Sequence, residues 1–229
     1  VLAILVTVTV LVVLTLLPRL AAWRAQIFTE VPREAHEDDM ADALNVLSIC
    51  GSLRKGSYNA ALQRALPSLA PPGLSIKPAP SFAGLAIYNF DEHQATGVPA
   101  LVTTVVDAIR AADGLIIVSP EYNWSIPGGL KNLIDWISRL KDQPFEGKAV
   151  AVQSCATGML GGARMQYHLR QSLASIGAQF FIKPEVFVNF AAKKFDEKTL
   201  ELTDQPTKDM VKLQLETYEK FLRRWTGKT

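Results

Sequence analysis

Ser52, Arg54, Ser57 and Asn59 stand close together in the stretch GSLRKGSYN, residues 51–59. Hydroxyl, guanidinium and amide groups, all able to hold an anion, thus fall in one short polar turn. The apolar run before it, Val46 to Cys50, reads as a buried strand, and a helix begins near Tyr58. A strand that breaks into such a turn and opens a helix offers free N–H groups and the positive end of a helix dipole, which suits a phosphate. An ordinary βα connection can also hold a Gly/Ser turn; the arginine and the helix start are what argue for a ligand. Two nucleotide motifs are excluded. With only Gly51 and Gly56 the turn is not GxGxxG, and no Gly-Lys-Ser/Thr closes it as a P-loop. A phosphate monoester held by hydroxyls and one guanidinium fits better, and that points to FMN rather than to NAD or ATP.

A second group lies in SPEYNWSIPGGLKNLIDW, Ser119 to Trp136. Ser119, Glu121, Tyr122, Asn123 and Ser125 supply polar groups, and Tyr122 and Trp124 supply flat aromatic surface. A planar heterocycle needs one edge read by polar groups and a face closed by apolar area, and this loop has parts for both. The competing reading makes Tyr122 and Trp124 core or interface aromatics, and it applies more to Trp124 than to Tyr122. A third segment, SCATGMLGG at 154–162, carries small residues that let backbone approach a ring closely. His93 and His168 pair with no recognisable nucleophile by spacing. Cys50 and Cys155 form no CxxC and no Cys/His cluster, so neither a disulfide framework nor a metal site is expected. No side chain is assigned as a catalytic acid or base.

The elements that must hold these loops follow from periodicity. Strands are expected at Val46–Cys50, Leu74–Pro78, Gly114–Ser119, Ala149–Ser154 and Gln179–Pro184. Helices are expected at 58–69, 99–112, 126–140, 161–176 and 208–225, and 81–94 reads as loop. GLIIVS at 114–119 is a continuous apolar run, as for a strand covered on both faces. Strands alternating with helices mean a parallel α/β sheet with right-handed crossovers. Five such strands fit the flavodoxin-like order 2-1-3-4-5, a three-layer sandwich whose ligands bind at the carboxyl ends of strands 1 and 3.

At 229 residues the chain is long enough for one domain with a full core. Its net charge of +2 makes no strong electrostatic claim on nucleic acid. Residues 1–17 are uncharged and apolar, ended by Pro18 and followed by Arg19, Arg24 and Arg33, and residues 29–39 are polar and acidic, as in a linker. Two readings of 1–39 stand side by side. In one the segment is a membrane anchor, borderline in length, with the domain on the cytoplasmic side of the basic residues. In the other, Met40 is the true translation start and 1–39 reflects a mis-set start. Setting aside three arginines of the 24 basic residues and five of the 22 acidic ones leaves 40–229 at +4. That balance argues against an acidic flavodoxin-type electron carrier.

The three segments GSLRKGSYN, PEYNWSIPGGLKNLIDW and GGARMQYHLRQ (161–171), in that order, resemble the NAD(P)H-dependent FMN reductases of flavodoxin-like fold. The last is similar to the bacterial chromate and quinone reductase branch. The resemblance runs from about Leu44 to the C-terminus. It implies that Ser52, Leu53, Arg54, Lys55, Gly56, Ser57, Tyr58 and Asn59 hold the FMN phosphate. It implies that Pro120, Glu121, Tyr122 and Asn123 line the isoalloxazine and ribityl chain. Cys155 matches a flavin-contacting position that is often Ser in the family, and its thiol is a weaker hydrogen-bond donor. The implied activity is hydride transfer from NADPH or NADH through flavin N5 to a quinone, by a ping-pong mechanism on one flavin face. Reduction of free FMN, azo compounds or chromate is the alternative. Arg164, Tyr167 and Glu185 resemble tetramer contacts of that branch, so a homodimer or homotetramer in the cytoplasm is expected.

Overall fold

The computed structural model describes residues 43–228. The reading of 1–39 therefore lies outside the described residues. The chain alternates β1 (Leu44–Cys50), α1 (Tyr58–Leu69), β2 (Leu74–Pro78), α2 (Phe90–Thr96), α3 (Ala100–Ala111), β3 (Gly114–Ser119), α4 (Gly128–Ile137), β4 (Ala149–Cys155) and α5 (Ala163–Ala174). Two short strands, β5 (Gln179–Phe180) and β6 (Val186–Val188), precede the long α6 (Gln205–Thr226). The sheet runs β2-β1-β3-β4-β5, with β6 also paired to β4, and every pairing is parallel. This is the flavodoxin-like arrangement.

Register decides where the loops emerge. Cys50 pairs with Val118, Val118 with Gln153, and Ser119 with Ser154. The carboxyl ends of β1, β3 and β4 are therefore level, and their three loops leave the sheet side by side. All six residues of β3 are buried, as its unbroken apolar run requires. One apolar layer packs α1 and α6 on the sheet, through Leu62, Leu66, Val211, Leu215 and Leu222. The other packs α3, α4 and α5, through Val102, Ile109, Leu133, Ile137, Leu169 and Leu173. In α6 the buried positions Val211, Leu215, Tyr218 and Leu222 recur at helical spacing, so one stripe meets the sheet. No helix among the described residues is long and apolar enough to cross a membrane.

Two expectations are corrected. The fifth strand is not continuous over Gln179–Pro184. β5 pairs with Ala149 and Val150, and β6 resumes opposite Gln153 to Cys155. The ladder stops after Phe181, whose N–H donates to Val150 O, and Pro184, with no N–H to give, lies in the gap before β6 rejoins the sheet. Part of the expected loop 81–94 is helix: α2 is capped by Asn89, whose Oδ1 accepts from Asp91 N at 2.9 Å, and ends at Gly97 with φ 78°. It buries no residue, so it has no apolar stripe to read.

Candidate active site

Gly51 makes the first loop possible. Its N–H donates to Val118 O at 2.9 Å, and a Cβ there would lie 2.2 Å from Ser119 Oγ. Only glycine lets β1 leave the sheet this close to the end of β3. Beyond it, the backbone N–H groups of residues 52–57 donate to no acceptor among the described residues. Ser57 is extended (φ −87°, ψ 126°) and caps α1, its Oγ accepting from Ala60 N at 3.3 Å. That bond leaves the Ser57 hydroxyl proton available. Arg54 is exposed and, among the described residues, has no hydrogen-bond or ion-pair partner. Unclaimed N–H groups, a helix N-terminus and an unpaired guanidinium form an anion cradle.

Asn59 does something else. Its Nδ2 donates to Cys155 O at 2.8 Å and its Oδ1 accepts from Cys155 N at 2.9 Å. The amide is buried and clamps the first turn of α1 to the end of β4, with both polar atoms bonded to the Cys155 backbone. It borders the cradle, but as a strut. Cys155 itself is buried in the apolar layer beneath α1 and α6. That burial pushes its thiol up to about 12, against a small downward pull from Lys194. Burial likewise raises the Cys50 thiol, with the Ser52 backbone and Arg64 acting the other way. Both thiols are protonated at neutral pH.

The second loop is a miniature hairpin. Tyr122 N donates to Ser125 O and Ser125 N to Tyr122 O, both at 3.0 Å, around Asn123 (φ 47°) and Trp124 (φ 68°). Two successive left-handed residues are what a tight type I′ connection needs. The loop is braced by α5. Arg164 Nε donates to Glu121 Oε1 at 2.8 Å, Met165 N to Glu121 Oε2 at 3.3 Å, and His168 Nδ1 lies 3.0 Å from Ser125 Oγ. The Arg164 guanidinium also sits 4.3 Å from the Trp124 ring centroid, which leaves the indole 67 % exposed and outside the core.

Ser52, Arg54, Ser57, Tyr58, Asn59, Pro120, Glu121, Tyr122 and Cys155 line one pocket of about 180 Å³, together with Ala156 and Thr157. Four expected residues stand outside that lining: Leu53, Lys55, Gly56 and Asn123. Leu53 leans toward Gly129, where an added Cβ would meet its Cδ1 at 3.3 Å, while Lys55 and Gly56 occupy the exposed tip of the turn and Asn123 the tip of the hairpin. Ala156 and Thr157 belong to the small-residue run 154–162, which is their only signal in the sequence. A larger cleft of about 680 Å³ lies along α1 and residues 199–212, and no expected site residue lines it.

The pocket opens at the switch point of a parallel 2-1-3-4-5 sheet and joins an anion cradle to two loops, the signature of a flavodoxin-like mononucleotide-binding protein. The family comparison goes further. The sequence model of the NADPH-dependent FMN reductases matches residues 44–193, and the chain belongs to that family. It is 46% identical over 185 residues to a quinone reductase of Escherichia coli, covering 81% of this chain and 98% of the relative. It is 44% identical over 189 residues to an NAD(P)H-dependent FMN reductase of Pseudomonas aeruginosa, covering 82% and 100%. Among solved structures, the flavoenzyme NAD(P)H:(acceptor) oxidoreductase FerB of Paracoccus denitrificans superposes with TM-score 0.70 at 29% identity, covering 80% and 98%. The protein is thus an NAD(P)H-dependent flavin oxidoreductase whose cofactor is FMN. The site fits that cofactor: the Ser52 and Ser57 hydroxyls and the Arg54 guanidinium line the same pocket as the Pro120–Tyr122 loop.

Proposed function

We propose that this enzyme transfers electrons from NAD(P)H to a quinone, the two substrates taking turns at one open flavin face. Bound FMN supplies hydride acceptance and release at its N5, and the protein holds, orients and tunes it. The observation that carries the reading is the unclaimed run of N–H groups at 52–57 beside the unpaired Arg54. That cradle holds the phosphate, with the Ser52 and Ser57 hydroxyls completing it. Pro120, Glu121 and Tyr122 flank the ring from β3, and Cys155, Ala156 and Thr157 flank it from β4. Glu121 is spent on Arg164 and Met165, so it stiffens its loop and moves no proton. At about 180 Å³ the pocket is smaller than the roughly 300–1,000 Å³ typical of small-molecule sites. Its lining joins the phosphate turn to both ring-flanking loops, and the exposed Tyr122 stands at its rim.

The quinone as acceptor is supported by 46% identity to a protein named quinone reductase, along nearly its whole length. The exposed Trp124 and Tyr167, with Arg164 and Glu185 nearby on α5 and before β6, support assembly into a homodimer or homotetramer. We place the domain in the cytoplasm, a reading supported by Arg19, Arg24 and Arg33 following the apolar run. Initial rates at several fixed quinone concentrations test the mechanism. Parallel double-reciprocal lines are expected, and intersecting lines mean that both substrates occupy the site together. A panel of quinones, chromate, azo compounds and free FMN tests the acceptor, and the reading fails if quinones are not preferred.

A further inference from the structure

Gln166 lies on α5, is fully buried and does not line the pocket. Its Nε2 donates to Ser154 Oγ at 2.8 Å and to Val186 O at 2.8 Å. Its Oε1 accepts from an Arg170 guanidinium nitrogen at 3.2 Å, and Arg170 is paired with Glu185 at 2.8 Å. Ser154 Oγ, having accepted from Gln166, donates to Gly161 O at 2.7 Å. The amide therefore has one orientation. Two acceptors face its nitrogen and a cation faces its oxygen, so the chain of donation runs in one sense from Arg170, itself held by Glu185, through Gln166 and Ser154 to Gly161 O.

That chain ends on the third flavin loop. The loop enters at Cys155, Ala156 and Thr157, which line the pocket, and leaves through Gly161 and Gly162. Both glycines are left-handed, at φ 58° and 89°. A Cβ on Gly161 would lie 2.9 Å from the Phe187 carbonyl carbon, and one on Gly162 would lie 2.8 Å from Ser154 Cβ. The loop exit is thus pressed against β4 and β6, with Ser154 Oγ as its polar anchor. The entrance is held by Ala156 N donating to Val188 O at 2.9 Å. Gln166 spans both supports, because it binds Ser154 on β4 and Val186 on β6.

We propose that Gln166 is a positioning residue for the ring end of the flavin: through Ser154 and Gly161, oriented by the Arg170–Glu185 pair, it sets the height of the loop the ring rests against. This rests on the FMN site proposed above. Gln166 acts on the β4 loop alone, while Arg54 acts at the phosphate, so the two should contribute to FMN affinity independently.

The test uses the full chain with Gln166→Glu, Gln166→Met and Ser154→Ala. Gln166→Glu keeps the shape but sets a carboxylate oxygen against Val186 O, and Ser154→Ala removes only the bond to Gly161 and its link to Gln166. FMN affinity should fall roughly tenfold or more in Gln166→Glu and about fivefold in Ser154→Ala, the scale of a lost buried hydrogen bond. The visible bands of bound FMN should shift, which a purely structural role would not cause in the folded fraction. Arg54→Ala should weaken FMN by the same factor with and without the Gln166 change. Unaltered affinity and spectrum in the folded variants would overturn the proposal. So would an Arg54 factor that shrinks in the Gln166 background, since Gln166 would then act through the phosphate turn. If Gln166→Glu does not fold, Gln166→Met and Ser154→Ala decide by the same readouts. An unaltered chain that binds no FMN refutes the proposed function itself, a result distinct from failure of this inference.

Discussion

Asn59 offers the sharpest test of how the site is built. Replacing it by Ala removes two hydrogen bonds to the Cys155 backbone, at 2.8 and 2.9 Å, and leaves a buried N–H and C=O without partners. Each such orphan costs about 1–3 kcal/mol, so the pair costs about 2–6 kcal/mol. For a domain of this size each kcal/mol moves the melting temperature by roughly 2–4 °C, so a mid-range loss lowers it by about 8–16 °C. The assay is urea or thermal unfolding of the FMN-free chain, followed by FMN titration. A strut predicts a large loss of stability without any flavin present. A direct phosphate contact predicts the reverse: an FMN-free fold as stable as before and a selective loss of FMN affinity. Asn59→Asp sharpens the contrast, because its carboxylate can still accept from Cys155 N but sets a negative charge beside the cradle. It should bind FMN more weakly than the Ala variant does. An FMN-free Asn59→Ala chain within about 1 kcal/mol of the parent would refute the strut.

Arg54→Ala should weaken FMN by about 1.5–3 kcal/mol, the range for a charged hydrogen bond, with the fold unaffected because Arg54 has no protein partner among the described residues; fluorescence titration reads it, and unchanged affinity removes Arg54 from the phosphate site. Light scattering at micromolar concentration should give a dimer or tetramer, and Trp124→Glu should shift it toward smaller species; a parent that is already monomeric ends that reading. The Cys155 thiol keeps in the folded chain a proton that the unfolded chain gives up above its ordinary pKa of 9.0. Its contribution to stability is therefore complete below pH 9 and is lost as pH climbs toward 12. Urea midpoints across that window should fall less steeply in Cys155→Ala, and identical slopes would contradict the burial argument. A chain beginning at Met40 should fold and bind FMN as the full chain does, since every element of the site lies at or beyond Leu44; a circular dichroism spectrum without the α/β signature, or absent FMN binding, would assign 1–39 to the fold.

Much of this architecture is legible in the sequence because burial leaves a periodic trace. GLIIVS at 114–119 announces a strand covered on both faces, and the spacing of Val211, Leu215, Tyr218 and Leu222, in steps of four, three and four, announces one stripe of α6. The phosphate turn is legible because Gly51, Ser57 and a helix start form a local pattern. α2 is the instructive miss: Asn89, Asp91, Glu92 and Gly97 are cap signals, but a helix that buries nothing writes no apolar stripe. The break between β5 and β6 had its signal in Pro184, outweighed by the apolar run before it.

What the sequence by itself determined is thus the set of elements, their parallel order and the three segments able to hold a flavin. Tertiary structure alone decided which atom faces which. Asn59 sits among phosphate-binding types and turns its amide to Cys155, 96 residues away. Gln166 sits on a helix as a neutral polar residue and becomes the hinge pin of a loop reached through Ser154. Glu121 lies in the flavin loop and is committed to Arg164. The physical reason is that hydropathy and turn propensity report how deeply a residue lies and how its own backbone bends. A hydrogen bond between distant residues depends on the register of β1, β3 and β4, and that register exists only once the sheet has formed.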